Sequence, residues 1–162
     1  MSWRSLAALT AVLCVGCATT TPSASRTSSE VFDRYVAAVH AGDMSAVRAL
    51  IAPDVERSDF IGCRPEMDNP TCLAHYIETT VVKPRARLTE VRRRVEGDTV
   101  FSDLEVRSPL YEKAGAPRIL GRDIVRVRDG RIAAFRFVPD FADEPTAVFF
   151  GTLGIGPRAR RQ

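Results

Sequence analysis

Asp123-Ile124-Val125-Arg126-Val127-Arg128-Asp129-Gly130-Arg131-Ile132 is the stretch that decides the fold. Apolar and charged side chains alternate as far as Arg128, Asp129-Gly130 is the residue pair a two-residue turn demands, and Arg131 to Val138 resumes as a second strand. The pattern predicts an antiparallel hairpin. With a period of two, Asp123, Val125 and Val127 share one face, while Arg122 and Arg126 take the other. Asp123 therefore sits on the apolar side, where a carboxyl group must find a partner or stay protonated; raising its pKa by about three units corresponds to roughly 4 kcal/mol of bias against charge. Upstream, Leu88 to Val95, a turn at Glu96-Gly97-Asp98 and Thr99 to Arg107 predict another hairpin, and Pro109 to Pro117 reads as a loop leading into Ile119.

Ahead of the sheet the spacing becomes helical. Glu30 to Ala41 carries Val31, Phe32, Tyr35, Val36 and Val39 on one stripe and ends at Gly42. A shorter helix runs from Asp43 or Ser45 to Ile51, closed by Pro53. Asn69 as N-cap and Pro70 in the first turn open a third, with Leu73, Tyr76, Ile77 and Val81 as its stripe and Pro84 beyond its end. Gly151 to Gln162 has Gly and Arg without apolar periodicity and reads as a loose basic tail, residues 151–162. The fold class is α+β, three helices followed by an antiparallel sheet that covers them. Tyr35 lies on the buried stripe of its helix, so its hydroxyl needs an acceptor, and a ligand oxygen between Tyr35 and Asp123 would satisfy both.

The 162 residues leave room for one domain, and the net charge of +3 falls to +2 once the segment holding Arg4 is removed. Acids and bases are interspersed, so a nucleic-acid partner is not implied; Arg92-Arg93-Arg94 is split between the two faces of its strand and reads as solvated surface. Leu6 to Val15 is apolar apart from Thr10 and follows the single charge at Arg4, the layout of a secretory signal over residues 1–16. Gly16-Cys17 resembles the lipobox of bacterial lipoproteins, although Cys14 stands where leucine is usual. That resemblance implies acylation of Cys17 and attachment to the membrane; Ala18 in place of Asp implies an outer-membrane site facing the periplasm. An ordinary signal cleaved near Ala18 is the alternative, and export follows from either. Residues 17–29 are rich in Ser, Thr, Pro and Ala and read as a flexible tether. In an oxidising compartment Cys63 and Cys72 pair as a disulfide around Arg64 to Thr71, with two buried thiols as the alternative. His40 and His75 lack a second pair of ligands and read as helix-surface residues, so neither a metal nor a cofactor is expected.

Helices first and then a curved antiparallel sheet resemble the cone-shaped barrel of nuclear transport factor 2-like proteins, SnoaL-like cyclases and ketosteroid isomerases. Arg34-Tyr35-Val36-Ala37-Ala38 with Ala41-Gly42-Asp43 is similar to the opening helix of the bacterial isomerases. Ala52-Pro53-Asp54-Val55 is similar to the entry after their second helix, and the hairpin from Asp123 is the most widespread signature of the group. The likeness covers Glu30 to about Phe141, within a domain drawn as 30–150. It implies a curved sheet wrapped around the three helices, enclosing a pocket for a small apolar molecule with a carbonyl or hydroxyl group. It also implies roles: Asp59 as the base that moves a proton between carbons, with Tyr35 and a protonated Asp123 as donors to the enolate oxygen. The chain departs from the isomerases at Ser58 and Phe60, where they commonly have an acid and a proline, and Gly121 stands where limonene-epoxide hydrolases have an Arg. Two functions follow from the resemblance, a binding module without chemistry and an isomerase or cyclase working by enolisation. A homodimer through the outer face of the sheet is the expected assembly.

Overall fold

The computed structural model describes residues 27–156 apart from Arg57 and Asp59. The signal, Cys17, most of the tether, Asp59 and residues 157–162 thus lie outside the described residues.

Helix α1, Ser28–Ala41, opens with a capping box in which Glu30 N–H donates to Thr27 Oγ1 (3.3 Å) and Thr27 N–H donates to Glu30 Oε2 (2.8 Å). Ser28 and Ser29, expected in the tether, belong to this helix because Thr27 supplies the cap. Gly42 ends it with φ of 68°. Helix α2, Met44–Leu50, is capped by Asp43. Helix α3, Asn69–Ile77, is capped by Asp68, which accepts from Thr71 N–H at 2.8 Å. Asn69, the expected cap, instead donates through Nδ2 to the Val55 carbonyl at 3.0 Å. The chain then continues without a break into a π-helical turn, Glu78–Val82.

Four strands form one antiparallel sheet in the order β1-β2-β3-β4: β1 Arg87–Glu96, β2 Thr99–Arg107, β3 Ile119–Arg128 and β4 Arg131–Pro139. Asp129 and Gly130 take φ of 51° and 70°, the left-handed pair that the tight turn requires. The inner face carries Val100, Leu104, Val106, Ile119, Val125, Val127, Ile132 and Phe135, which pack on Val31, Phe32, Tyr35, Val39, Val47 and Leu73 of the helices. Residues 51–56 follow the free side of β4, where Ala52 N–H donates to Ile132 O and Glu56 N–H to Ala133 O, both at 2.9 Å, and Ser58 Oγ donates to Phe135 O at 3.2 Å. Cys63 and Cys72 are joined as a disulfide with Cα atoms 5.3 Å apart. This excludes the two-thiol alternative and ties the segment after Phe60 to the first turn of α3.

Two helices went unforeseen. α4, Pro109–Lys113, capped by Ser108, occupies the expected loop between β2 and β3. α5, Glu144–Thr152, capped by Asp143, runs into what reads as the loose tail, and Ile155 N–H still donates to Phe150 O at 2.9 Å. Thr146 fixes α5 to the sheet, accepting from Leu120 N–H (2.8 Å) while donating to Asp143 (2.7 Å).

Candidate functional site

Among the described residues, four buried side chains are polar: Ser102, Ser108, Asp123 and Thr146. Ser102 donates to Glu90 at 2.6 Å, Ser108 donates to the Pro84 carbonyl at 2.7 Å, and Thr146 is held as above. Asp123 differs, since its carboxyl forms no hydrogen bond or ion pair with a described residue and lines a cavity. Its neighbour Arg122 points to the opposite face and pairs with Asp103 at 2.5 Å. Burial alone pushes Asp123 from its ordinary 3.8 up to about 8, so near neutral pH it is a protonated acid able to donate.

The cavity measures about 180 Å³. That exceeds the roughly 150 Å³ of an engineered apolar cavity that holds benzene and falls short of the roughly 300 Å³ where pockets for drug-sized molecules begin. Its walls are apolar: Leu104, Val106 and Ile119 from the sheet, Phe135 and Phe137 from β4, and Phe149 and Phe150 from α5. Tyr35 of α1 and Tyr76 of α3 join Asp123 there. Burial raises both phenols well above their ordinary 10, and the Asp123 carboxyl adds to that rise in each. Phe135 lies edge-on to Tyr35 at 5.6 Å between ring centroids, and Phe60 stacks on Tyr76 at 4.7 Å. Thr79 and Thr80, from the π-helical turn, donate their hydroxyls to the carbonyls of His75 and Tyr76, each at 2.8 Å, and Tyr111 of α4 donates to the Thr80 carbonyl. Tyr35, Tyr76 and Asp123 thus line one cavity inside an aromatic and aliphatic shell.

Of the residues expected to form the site, Tyr35 and Asp123 meet in this cavity and Asp59 lies outside the described residues. Ile61, two positions on, lines the wall. In the sequence Tyr76 is one residue of the apolar stripe of α3, as is the core residue Ile77, and nothing in the spacing marks its hydroxyl as part of the site. His40, read as a helix-surface residue, also caps the sheet edge: its Nε2 accepts the Leu88 N–H at 3.0 Å. Gly121 sits beneath Phe137, whose Cζ lies 2.3 Å from where a Cβ would be. An aromatic ring thus covers this position of β3. Among the described residues no group of three His, Cys, Asp or Glu is placed to hold a metal.

The model of the SnoaL-like domain matches residues 32–135, most of the chain. The protein belongs to the SnoaL-like family. Solved structures similar to this SnoaL-like chain have the same fold. A Δ5-3-ketosteroid isomerase from a Mycobacterium species is 21% identical, with 70% of this chain and 93% of that one covered and a TM-score of 0.53. An epoxide hydrolase of the limonene-epoxide hydrolase type from M. tuberculosis is 16% identical, with coverage of 78% and 94% and a TM-score of 0.53. A nuclear transport factor 2-like protein of unknown function from Cytophaga hutchinsonii is 12% identical, with coverage of 72% and 92% and a TM-score of 0.54. At these identities the likeness establishes the α+β cone and leaves the chemistry to the residues.

Proposed function

We propose that this SnoaL-like domain binds a small apolar molecule carrying one carbonyl or hydroxyl oxygen, seated against Asp123, Tyr35 and Tyr76. The observation behind this reading is a buried carboxyl group, without a hydrogen-bond partner among the described residues, that faces an otherwise apolar cavity; burial pushes its pKa up to about 8. The two phenols beside it are neutral near pH 7, and burial pushes their pKa values further up. A ligand oxygen would accept from these donors while its hydrocarbon body replaces solvent against Phe135, Phe137 and Phe150. Calorimetry at pH 6 with 2-naphthol and with naphthalene, which share a shape and differ by one hydroxyl, tests it. The naphthol should bind roughly tenfold tighter, and Asp123→Leu should erase that advantage. Equal affinities for the two probes would refute the assignment.

The second reading is proton transfer. Tyr35 with a protonated Asp123 supplies the two donors that stabilise an enolate oxygen, and a base is then needed to take the proton from the carbon beside the carbonyl. Asp59 is the proposed base; it would return the same proton to the γ-carbon, so that a β,γ-unsaturated ketone becomes its conjugated isomer with no other reactant. A 3-cyclohexenone suits a cavity of about 180 Å³. The assay follows the ultraviolet absorption of the enone, with a ketosteroid substrate run beside it. Turnover that survives Asp59→Asn would remove Asp59 from the role.

We also propose that the protein is exported and acylated at Cys17, which would set the domain in the cell envelope. The Cys63–Cys72 disulfide supports an oxidising compartment. Mass spectrometry of the membrane fraction should find lipid on Cys17, and none on a Cys17→Ser variant in which the protein shifts to the soluble fraction. For assembly, the outer face of the sheet is the proposed contact between two copies; a monomer by light scattering would count against it.

A further inference from the structure

The cavity that holds Asp123 is long in one direction. Asp123 and Ile119 both line it and stand four residues apart on the inner face of β3, roughly 13 Å at the rise of a strand. The wall on β2 advances in step, since Leu104 pairs with Gly121 and Val106 with Ile119. At that end of the strands α4 joins β2 to β3, and it touches α5 through Tyr111 and Phe149, whose ring centroids are 5.1 Å apart. Here the lining meets water. Six large apolar side chains are exposed among the described residues, and three of them, Ile61 at 46%, Leu110 at 55% and Leu153 at 52%, line this cavity. They come from the segment held by the disulfide, from α4 and from the end of α5. Burial in the fold accounts for none of them, and apolar groups gathered in water mark a place where something binds.

Polarity in this cavity belongs to its depth. Thr79, Thr80 and Tyr111 line it, but each donates its hydroxyl to a backbone carbonyl, whereas the buried Asp123 carboxyl has no partner among the described residues. From there outward the walls are hydrocarbon and aromatic, and so is the rim. The enclosed volume of about 180 Å³ is little more than the roughly 150 Å³ that holds one benzene ring, so a larger molecule must leave through the mouth. Since the rim residues line the same cavity as Asp123, a single molecule can touch both. We propose that the ligand is an amphiphile bound head-inward: a body of about one ring with its oxygen at Asp123, and a linear alkyl chain that runs out over Ile61, Leu110 and Leu153. This rests on the reading of the cavity as a site for an apolar molecule with one oxygen and deepens it, narrowing the class to alkyl-chain phenols, alcohols and ketones. The chain covers side chains that otherwise face water, which is where its contribution to affinity comes from.

The test is calorimetry at pH 6 with phenols carrying a straight chain opposite the hydroxyl, from 4-methylphenol to 4-hexylphenol. Cys17→Ser protein is used, so that neither an acyl chain of its own nor detergent competes for the mouth. Each methylene should tighten binding about threefold, where complete burial would give about fourfold. Leu110→Ser with Leu153→Ser, both exposed and so without cost to folding, should weaken 4-hexylphenol about tenfold relative to 4-methylphenol. Asp123→Leu should weaken both phenols by the same factor, because it removes the seat of the oxygen and leaves the path of the chain. Val91→Ser with Val95→Ser, exposed on β1 and absent from the cavity lining, is the control and should not alter the dependence on chain length. A dependence that the rim pair leaves untouched would overturn the proposal, as would a dimer by light scattering that the rim pair dissociates, since a second copy would then cover the rim. Binding of 2-naphthol and 4-methylphenol through Asp123 with no gain from longer chains overturns the alkyl path alone. A gain that the rim pair abolishes while Asp123→Leu has no effect upholds the alkyl path and overturns Asp123 as the seat of the oxygen.

Discussion

Asp123 couples stability to pH in a direction opposite to most carboxylates. Its folded pKa is raised from 3.8 to about 8, so the folded state holds a proton that the unfolded chain releases. The stability tied to that proton is fully present below pH 3.8 and is lost as pH rises through about 8. Asp123→Asn removes the dependence. Thermal melts of both proteins at pH 5 and pH 9 should show the variant gaining on the parent by several degrees at the higher pH, on the scale of about 4 °C per kcal/mol for a domain of this size. His40 acts in the reverse sense. Burial first, and then the charge of Arg87, lower its pKa below 6.5, consistent with a neutral Nε2 that accepts the Leu88 N–H. Its contribution is present above pH 6.5 and is lost as pH falls through the folded value. His40→Ala should cost about 1 kcal/mol in urea denaturation at pH 7 and less at pH 5, where the parent has already lost part of the bond. Asp123 was legible because alternation alone sets it among apolar neighbours. Tyr76 was not, since a Tyr on a helical stripe is written in the same letters whether its hydroxyl ends in core, rim or cavity.

At the level of elements, β3, β4 and α5 together decide the shape of the site. Phe150 is 8% exposed and meets Phe137, Phe141 and Phe149 at centroid distances of 5.4 to 6.2 Å. Phe150→Ala should destabilise by about 3 kcal/mol in chemical denaturation and enlarge the cavity. Gly121→Ala tests the same wall from beneath. The new Cβ would fall 2.3 Å from the Phe137 ring and 2.8 Å from the Val138 carbonyl oxygen. The ring and strand must shift, at about 1–3 kcal/mol, with an altered affinity for 2-naphthol as the second readout. The hairpins and α1 were readable because period and turn chemistry are local. α5 was not, for Glu144 to Thr152 is apolar around most of its circumference and is held by Thr146 and the aromatic cluster, contacts made across the fold. The cap of α3 shows the same limit at smaller scale: Asp68 and Asn69 are both good caps, and the Val55 carbonyl, remote in sequence, draws Asn69 away.

For the molecule as a whole, the disulfide joins the wall segment that carries Phe60 and Ile61 to α3, which carries Tyr76. Replacing Cys63 and Cys72 together by Ser should lower global stability by roughly 2–3 kcal/mol by loop-closure entropy, read as an earlier urea midpoint. Naphthol affinity should fall with it, since Phe60 would lose the anchor that keeps it on Tyr76. The plan of helices covered by a meandering sheet followed from sequence because each strand pairs with its neighbour in the chain. How the cone is closed did not, because α4 and α5 gain their order only from the surfaces they cover. A sheet of this kind leaves its first strand with a row of unpaired backbone groups, an invitation to fibril growth by strands of other molecules. On β1 a bulge at Val91 breaks the ladder and Arg92, Arg93 and Arg94 crowd the strand with charge, each bound to an acid of its own fold, while His40 already occupies the Leu88 N–H. A second chain adding there would have to strip those ion pairs and pair across an irregular spacing. The arginine run, which has no part in the cavity, therefore has a purpose at the sheet edge: it opposes the addition of further strands there.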